Sequence, residues 1–395
     1  MQFVHWQSSL LVSAVAVAAC GGDPARPDAP PTDGFDRSAL LAHLGRDVLL
    51  PLQSSFKIEA TSLPPAIAAH CDALDAGAPG TTGDAARDAW RSAIDAWEAS
   101  EAALVGPAAM DSKLLRDKIY GWPLLATCDL DRDTVTSWND PASYDVDAKL
   151  VRARSLAAVE YLLFPPSTNH TCAVTPAGWD ALGADLPRAR CRQALAIATD
   201  VAVHATTLET AWRTDGGDYV STLANAGKSG SSIASAQEGV NRISDGLFYI
   251  DRTIKDMKLA EAAGLAVNVC GTVQEPCERE VELRYGDRAS FAIRANLSTI
   301  RAVFTGTAST DGPGFDDFLR EVGSTELADR MTANLDAAIA KAAALPDSFL
   351  GALASDYANV VATHAAIKLF TDDLKSQFLT VLALEIPDDV ATDND

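Results

Sequence analysis

Residues 145–164 read DVDAKLVRARSLAAVEYLLF, and the run ends on Pro165-Pro166. Val146, Leu150, Val151, Leu156, Val159, Leu162 and Leu163 recur at roughly helical spacing, which predicts an amphipathic helix with a broad apolar stripe. Asp145 or Asp147 is the candidate N-cap, and the prolines stop the helix. Glu160 lies four residues from both Leu156 and Phe164, so it shares the apolar side. A lone buried charge is costly, so Glu160 requires a partner. Two readings stand: a salt bridge to an arginine of another helix, or a carboxylate turned toward a ligand or metal. Arg152 and Arg154 are too far along the helix to be its simple neighbours.

Outward from this run the pattern stays helical. Leu40, Leu41, Leu44, Val48, Leu49 and Leu52 form a first stripe, expected to stop near Ser54-Ser55. Further helices are expected over about 64–76 and 84–104. The latter carries Trp90, Ile94, Trp97 and Leu104 on one face, with Glu98 and Glu101 beside it. Leu186–Trp212 reads as one long helix. The polar, Gly-rich stretch 216–232 marks a domain boundary. Helices follow over about 233–263, 281–306, 325–345 and 348–384, and no long strand-like alternation occurs. The expected fold class is all-α: an N-terminal helical bundle (35–215), a linker (216–232) and a C-terminal bundle (233–386), of about four main helices each. Residues 387–395 form an acidic tail.

The start of the chain carries an address. Ser8–Ala19 is apolar but too short for a permanent membrane span. It ends on Ala18-Ala19-Cys20, which resembles a bacterial lipoprotein signal. That resemblance implies cleavage after residue 19, lipidation of Cys20, and Gly21-Gly22 as an outer-membrane sorting signal. An ordinary secretory signal is the alternative, and Met1–Gln7 lacks Lys and Arg. The Pro-rich stretch 20–34 reads as a tether. The formal net charge of −22 argues against nucleic acid and anionic lipid as partners. The partners expected are the membrane, through the lipid on Cys20, and a small ligand or metal.

The window Ser155–Phe164, SLAAVEYLLF, resembles the signature helix of the imelysin family, G-x-H-x-x-E followed by an aromatic-Leu-Leu run. Glu160 and the YLLF tail match. Ser155 stands for the Gly and Ala157 for the His. A His and a Glu three residues apart share a helix face and can converge on one metal or water. Ala157 leaves one oxygen ligand and no base. Ile119-Tyr120-Gly121-Trp122-Pro123 and the window 282–306, ELRYGDRASFAIRANLSTIRAVFTG, also resemble the family. In the latter Glu282, Tyr285, Asn296, Phe304 and Gly306 match, while Leu283 and Gly286 stand where family members carry Ser. The resemblance implies an envelope protein concerned with iron or cation acquisition. Its ligand residues would be Glu160, Glu282, Trp122, Tyr285 and Asn296, with Glu160 the remaining metal contact for a divalent or ferric cation. Trp122 and Pro123 also read as core and helix stop.

Besides Cys20, the chain has Cys71, Cys128, Cys172, Cys191, Cys270 and Cys277, an even set that reads as disulfides in an exported chain. Cys270–Cys277 closes a short loop, Cys172–Cys191 spans the loop after the signature run, and Cys71–Cys128 remains. No C-x-x-C, Gly-rich phosphate loop or Ser-His-Asp spacing occurs. Asp200/His204 and His43/Asp47 have i,i+4 spacing that suits either a metal pair or an ion pair. Three functions follow: a non-catalytic envelope binding protein, a metal-dependent peptidase with a substitute for the missing His, or an envelope scaffold.

Overall fold

The run 145–164 is α-helical only over Leu156–Leu163, and Val151–Ala153 makes a separate 3-10 turn before it. The break is at Ser155, whose φ of 109° and ψ of 173° belong to a region that normally only glycine occupies. Its Oγ accepts the Gly121 N–H at 2.9 Å, which holds the turn. Neither Asp145 nor Asp147 therefore caps this helix. Asp145 instead accepts the Asp147 N–H in a local turn.

A computed structural model describes residues 33–271 and 273–387. The expected signal peptide (1–19), the lipidation site Cys20, and most of the tether and acidic tail lie outside them. Among the described residues every regular element is helical. The first, α1 (Arg37–His43), passes through a π-helical turn, Leu44–Leu49, into α2 (Leu50–Asp75). The stop expected at Ser54-Ser55 does not occur, and α2 runs on through Pro64 and Pro65. Phe56, Ala60, Leu63, Ile67 and Cys71 form one buried stripe across the prolines. Burial of that stripe outweighs the lost backbone bonds.

The chain continues with α3 (Thr82–Glu101), α4 (Leu114–Ile119), α5 (Thr127–Asn139), α6 (Leu156–Leu163), α7 (Trp179–Leu182) and α8 (Leu186–Trp212). Helices α2 and α3 pack against each other, α2 and α6 pack on α8, and α3 touches α6. The expected linker holds a further helix, α9 (Tyr219–Ala224), with Tyr219, Val220 and Leu223 buried. Next come α10 (Ala236–Leu247) and a π-helical stretch, Ile250–Glu261. After them lie α11 (Ala289–Thr305), α12 (Phe315–Glu321), α13 (Thr325–Ala343), α14 (Phe349–Ser355), α15 (Tyr357–Asp373) and α16 (Leu379–Leu382). One hydrophobic cluster runs from Leu40 to Leu384 and draws on both halves of the chain. The first helix lies against the second half: Phe35 stacks on Phe318, and a ring nitrogen of His43 meets the Gly306 carbonyl at 2.6 Å.

Among the described residues three disulfides brace the fold: Cys71–Cys191, Cys128–Cys172 and Cys270–Cys277. Cys270–Cys277 agrees with the sequence expectation. The pairings Cys172–Cys191 and Cys71–Cys128 are overturned. The C-terminal end of α2 meets the N-terminal end of α8, where Arg192 also pairs with Asp75 at 2.6 Å. That approach brings Cys71 to Cys191 across 120 residues of sequence, a separation that chain spacing does not reveal.

Candidate functional site

Residues 281–306 were expected to be one helix, but α11 begins only at Ala289. Leu283 and Asp287 have φ of 50° and 52°, so 281–288 is a tight turn. The turn aims its backbone at α6. The Tyr285 and Gly286 N–H groups donate to Glu160 Oε1 at 2.9 and 2.8 Å. Glu160 is 3% exposed, and the partner of its Oε1 is the backbone of a turn rather than an arginine side chain. Burial pushes its pKa up to about 7, against the pull of the two amides and of Arg284. No imidazole of a described residue is among the groups that act on it.

The neighbours of Glu160 are packed with apolar groups. Trp90 Nε1 donates to the Leu156 carbonyl at 2.9 Å, and its ring meets Phe164 edge-on. A side chain at Gly286 would strike the Trp90 ring at 2.5 Å. Gly286 is therefore required for the turn to approach closely enough to bond Glu160. Ala157, at the motif His position, is 2% exposed, and Leu283 is 3% exposed.

The other expected residues gather around a cation that sequence reading missed. Lys258, on the π-helical stretch, is 2% exposed. Its Nζ lies 2.5 Å from Glu98 Oε2, 2.9 Å from Glu282 Oε2 and 2.8 Å from Asn296 Oδ1. Asn296 donates back to the Glu98 carbonyl at 2.7 Å and to its carboxylate at 3.0 Å. Tyr120 donates to Glu282 Oε1 at 2.9 Å. Alongside, Arg116 pairs with Glu101, which also accepts the Trp97 indole N–H at 3.0 Å. Trp122 gives its carbonyl to Arg116 and lies 5.9 Å from Lys258 with its ring. Tyr285 turns its ring to Tyr161 and its hydroxyl to Arg284.

Three carboxylates (Glu98, Glu101, Glu282) thus face two cations (Lys258, Arg116). Burial, and then the neighbouring Glu98, push Glu282 up to about 8. Burial raises Glu98 as well. The cluster therefore retains a proton near neutral pH. Burial works against the charge of Lys258, but Glu282 and Glu98 outweigh it and raise it to about 12. Glu98 and Glu101 were visible in the sequence only as polar residues beside an apolar face. Lys258 was hidden because the π-helical winding shifts residues off the usual helical register. The pair Asp251 and Lys255, both buried and 3.2 Å apart, was the available signal on the same stretch.

At the Glu160 position the structure leaves a single oxygen, Oε2, for a ligand. Oε1 is taken up by two amide donors, and Ala157 offers no ligand atom. Asp147, Asp200 and His204 do bring ligand atoms within 4.8 Å of one another. A guanidinium is already among them, with Arg154 Nη2 at 3.0 Å from Asp147, 2.5 Å from Asp200 and 2.8 Å from His204. His43 and Asp47 meet at 3.0 Å, with Arg46 also on the Asp47 carboxylate.

Comparison with known proteins adds a family. The family model described as Imelysin matches residues 54–377. No curated protein matches the sequence. Solved structures share the fold, two of them as follows. An imelysin-like protein from Psychrobacter arcticum 273-4 has 16% identity and a TM-score of 0.64, over 89% of this chain and 96% of the other. A putative iron-regulated protein A precursor from Parabacteroides distasonis ATCC 8503 has 18% identity and a TM-score of 0.65, over 91% and 97%.

Proposed function

The chain belongs to the imelysin family, and on that premise we propose that it is a non-catalytic, ligand-binding member serving iron or other cation uptake at the bacterial cell envelope. One observation carries the non-catalytic part. The motif His and both Ser positions of the resemblance hold Ala157, Leu283 and Gly286, all buried. Apolar packing occupies the ground where a base and polar ligands would stand. A general base or metal-bound water needs a titratable group in reach of substrate, and Glu160 is buried with Oε1 held by the backbone and no second side-chain ligand at Ala157. Glu160 and Glu282 act as frame: one ties α6 to the 281–288 turn, the other joins that turn to Lys258.

The iron setting is supported by the family and by the description of the Parabacteroides relative as iron-regulated. The envelope setting is supported by the lipoprotein-like signal ending at Cys20, which would anchor the folded part to the outer membrane. No helix among the described residues is long and apolar enough to cross a membrane itself.

Two measurements test the reading. Unstructured protein substrates should survive incubation with the purified protein, with or without chelator. Chelator-sensitive cleavage that disappears in Glu160→Gln would overturn the non-catalytic reading and restore the metal-dependent peptidase. Calorimetric titration with ferrous and ferric iron should give the same heats for the native protein and Glu160→Gln. Iron binding that the substitution abolishes would return the metal to the signature helix.

A further inference from the structure

We propose that a cavity beside the C-terminal end of α6 binds a small organic carboxylate with an apolar tail. This site is separate from the Glu160 turn and from the Lys258 cluster. The cavity measures about 370 Å³, within the range of small-molecule sites. Leu162, Leu163 and Leu186, with Cys191 of the α2–α8 disulfide, make its buried apolar wall. Pro165, Ser167, Thr168 and Pro187 are exposed and form its mouth.

The charged lining is of one sign. His70, Arg87 and Arg190 border the cavity, and no Asp or Glu does. In a chain of formal net charge −22 this is a local reversal. Arg190 decides the ligand class. It is 4% exposed, yet no carboxylate of a described residue pairs with it. Its Nη1 donates to the Ser167 carbonyl at 2.8 Å and its Nη2 to the Asn169 carbonyl at 3.4 Å, the Tyr161 side chain also acts on it, and its guanidinium lies 5.5 Å from the Trp179 ring centre. The Asp131 carboxylate, which acts on it electrostatically, is already engaged by the Tyr161 hydroxyl at 2.9 Å and by the Thr171 N–H at 2.6 Å.

A buried guanidinium held by neutral carbonyls, whose nearby anion, Asp131, is shared with Tyr161 and Thr171, gains from a further anion. Arg87 at the rim is paired only with the exposed Asp84, a surface pair of small worth. An entering carboxylate would take charge-assisted hydrogen bonds from the two arginines. Its tail would lie along Leu162, Leu163 and Leu186. A cationic amphiphile of the same shape would be repelled.

The test uses hexanoate, hexylamine and acetate, titrated into the native protein and followed by amide NMR shifts and calorimetry. Two tripeptides ending in leucine, one with a free and one with an amidated C-terminus, separate a fatty-acid source from a peptide terminus. Hexanoate or the free-acid peptide should bind saturably, with shifts centred on His70, Arg87, Ser167, Thr168 and Arg190. Acetate should bind about tenfold more weakly, for want of the apolar contacts. Hexylamine and the amidated peptide should not bind. Arg190→Gln should weaken binding about tenfold or more. Because Arg190 also ties down the 167–169 loop, Arg87→Gln, with an expected loss of about threefold, and a blocking Thr168→Trp provide variants at the cavity rim. Carboxylate binding that no variant changes, amine binding equal to acid binding, or no binding of either acid would each overturn the proposal.

Discussion

Glu160 and the Glu98–Lys258–Glu282 cluster are two ways of burying carboxylates within one helical frame. At Glu160 the partner is backbone: two amides of a turn bent by Leu283 and Asp287. At the cluster the partner is charge: one ammonium within 2.9 Å of two carboxylates. The backbone solution needs shape, which is why Gly286 sits against Trp90. The charge solution needs stoichiometry, and with three acids against two bases it keeps a proton. A carboxylate held by amides tolerates neutralisation, whereas one held by a cation depends on that cation remaining in place.

The largest effect is expected from Lys258→Met. It leaves Glu98 and Glu282 buried without a countercharge and should cost about 3–5 kcal/mol of stability. Denaturant unfolding should show a larger loss at pH 8 than at pH 5, because protonation relieves the orphaned acids at the lower pH. A pH-independent loss below about 1 kcal/mol would break the comparison.

Next is Glu160→Ala, which orphans two buried amides at about 1–3 kcal/mol each. Glu160→Gln keeps an oxygen for both donors and should stay within about 1 kcal/mol of the native protein near pH 5. Equal losses in the two variants would show that the amide oxygen of Gln does not replace the carboxyl oxygen on the two backbone donors.

The third effect is in the pH profile. Folding raises Glu160 from its ordinary 4.5 to about 7, and Glu282 from 4.5 to about 8. Protons are therefore bound more tightly in the folded state. This contribution is complete below about pH 4.5 and is lost as the pH rises through 7 and 8. Thermal unfolding should show stability declining from pH 5 to pH 8.5, with the slope reduced in Glu160→Gln. A stability that rises over this window would contradict both raised values.

The smallest effect concerns Ser155. Ser155→Gly relieves a strained backbone, worth about 1–3 kcal/mol, but leaves the buried Gly121 N–H without its acceptor, which costs about 1–3 kcal/mol. The two nearly cancel, so the net change should stay within about 1 kcal/mol of zero, read as a small shift in melting temperature. A clear destabilisation would mean that the Gly121 contact outweighs the strain.

Much of the fold was legible in the chain. The stripes Trp90–Ile94–Trp97 and Leu186–Trp212 fall on helices as spaced, because side-chain periodicity is a local property of the backbone. Leu156–Leu163 was legible as helix, but its start was not. Only the tertiary contact of Ser155 with Gly121 selects the unusual backbone angle that ends the preceding turn. The 281–288 turn was hidden for a related reason: Leu283 and Asp287 do not announce left-handed angles. Lys258 lay on a stretch whose π-helical winding defeats a count by ordinary helical turns.

The residues alone determined an all-helical chain of the imelysin kind, with one carboxylate on a buried face and the motif imidazole missing. These follow from composition, spacing and the identity of Ala157. Which groups answer that carboxylate, which cysteines pair, and where Lys258 points were decided in three dimensions. Each joins elements distant in sequence, and only the packing of α2 on α8 and of the 281–288 turn on α6 brings them within bonding distance.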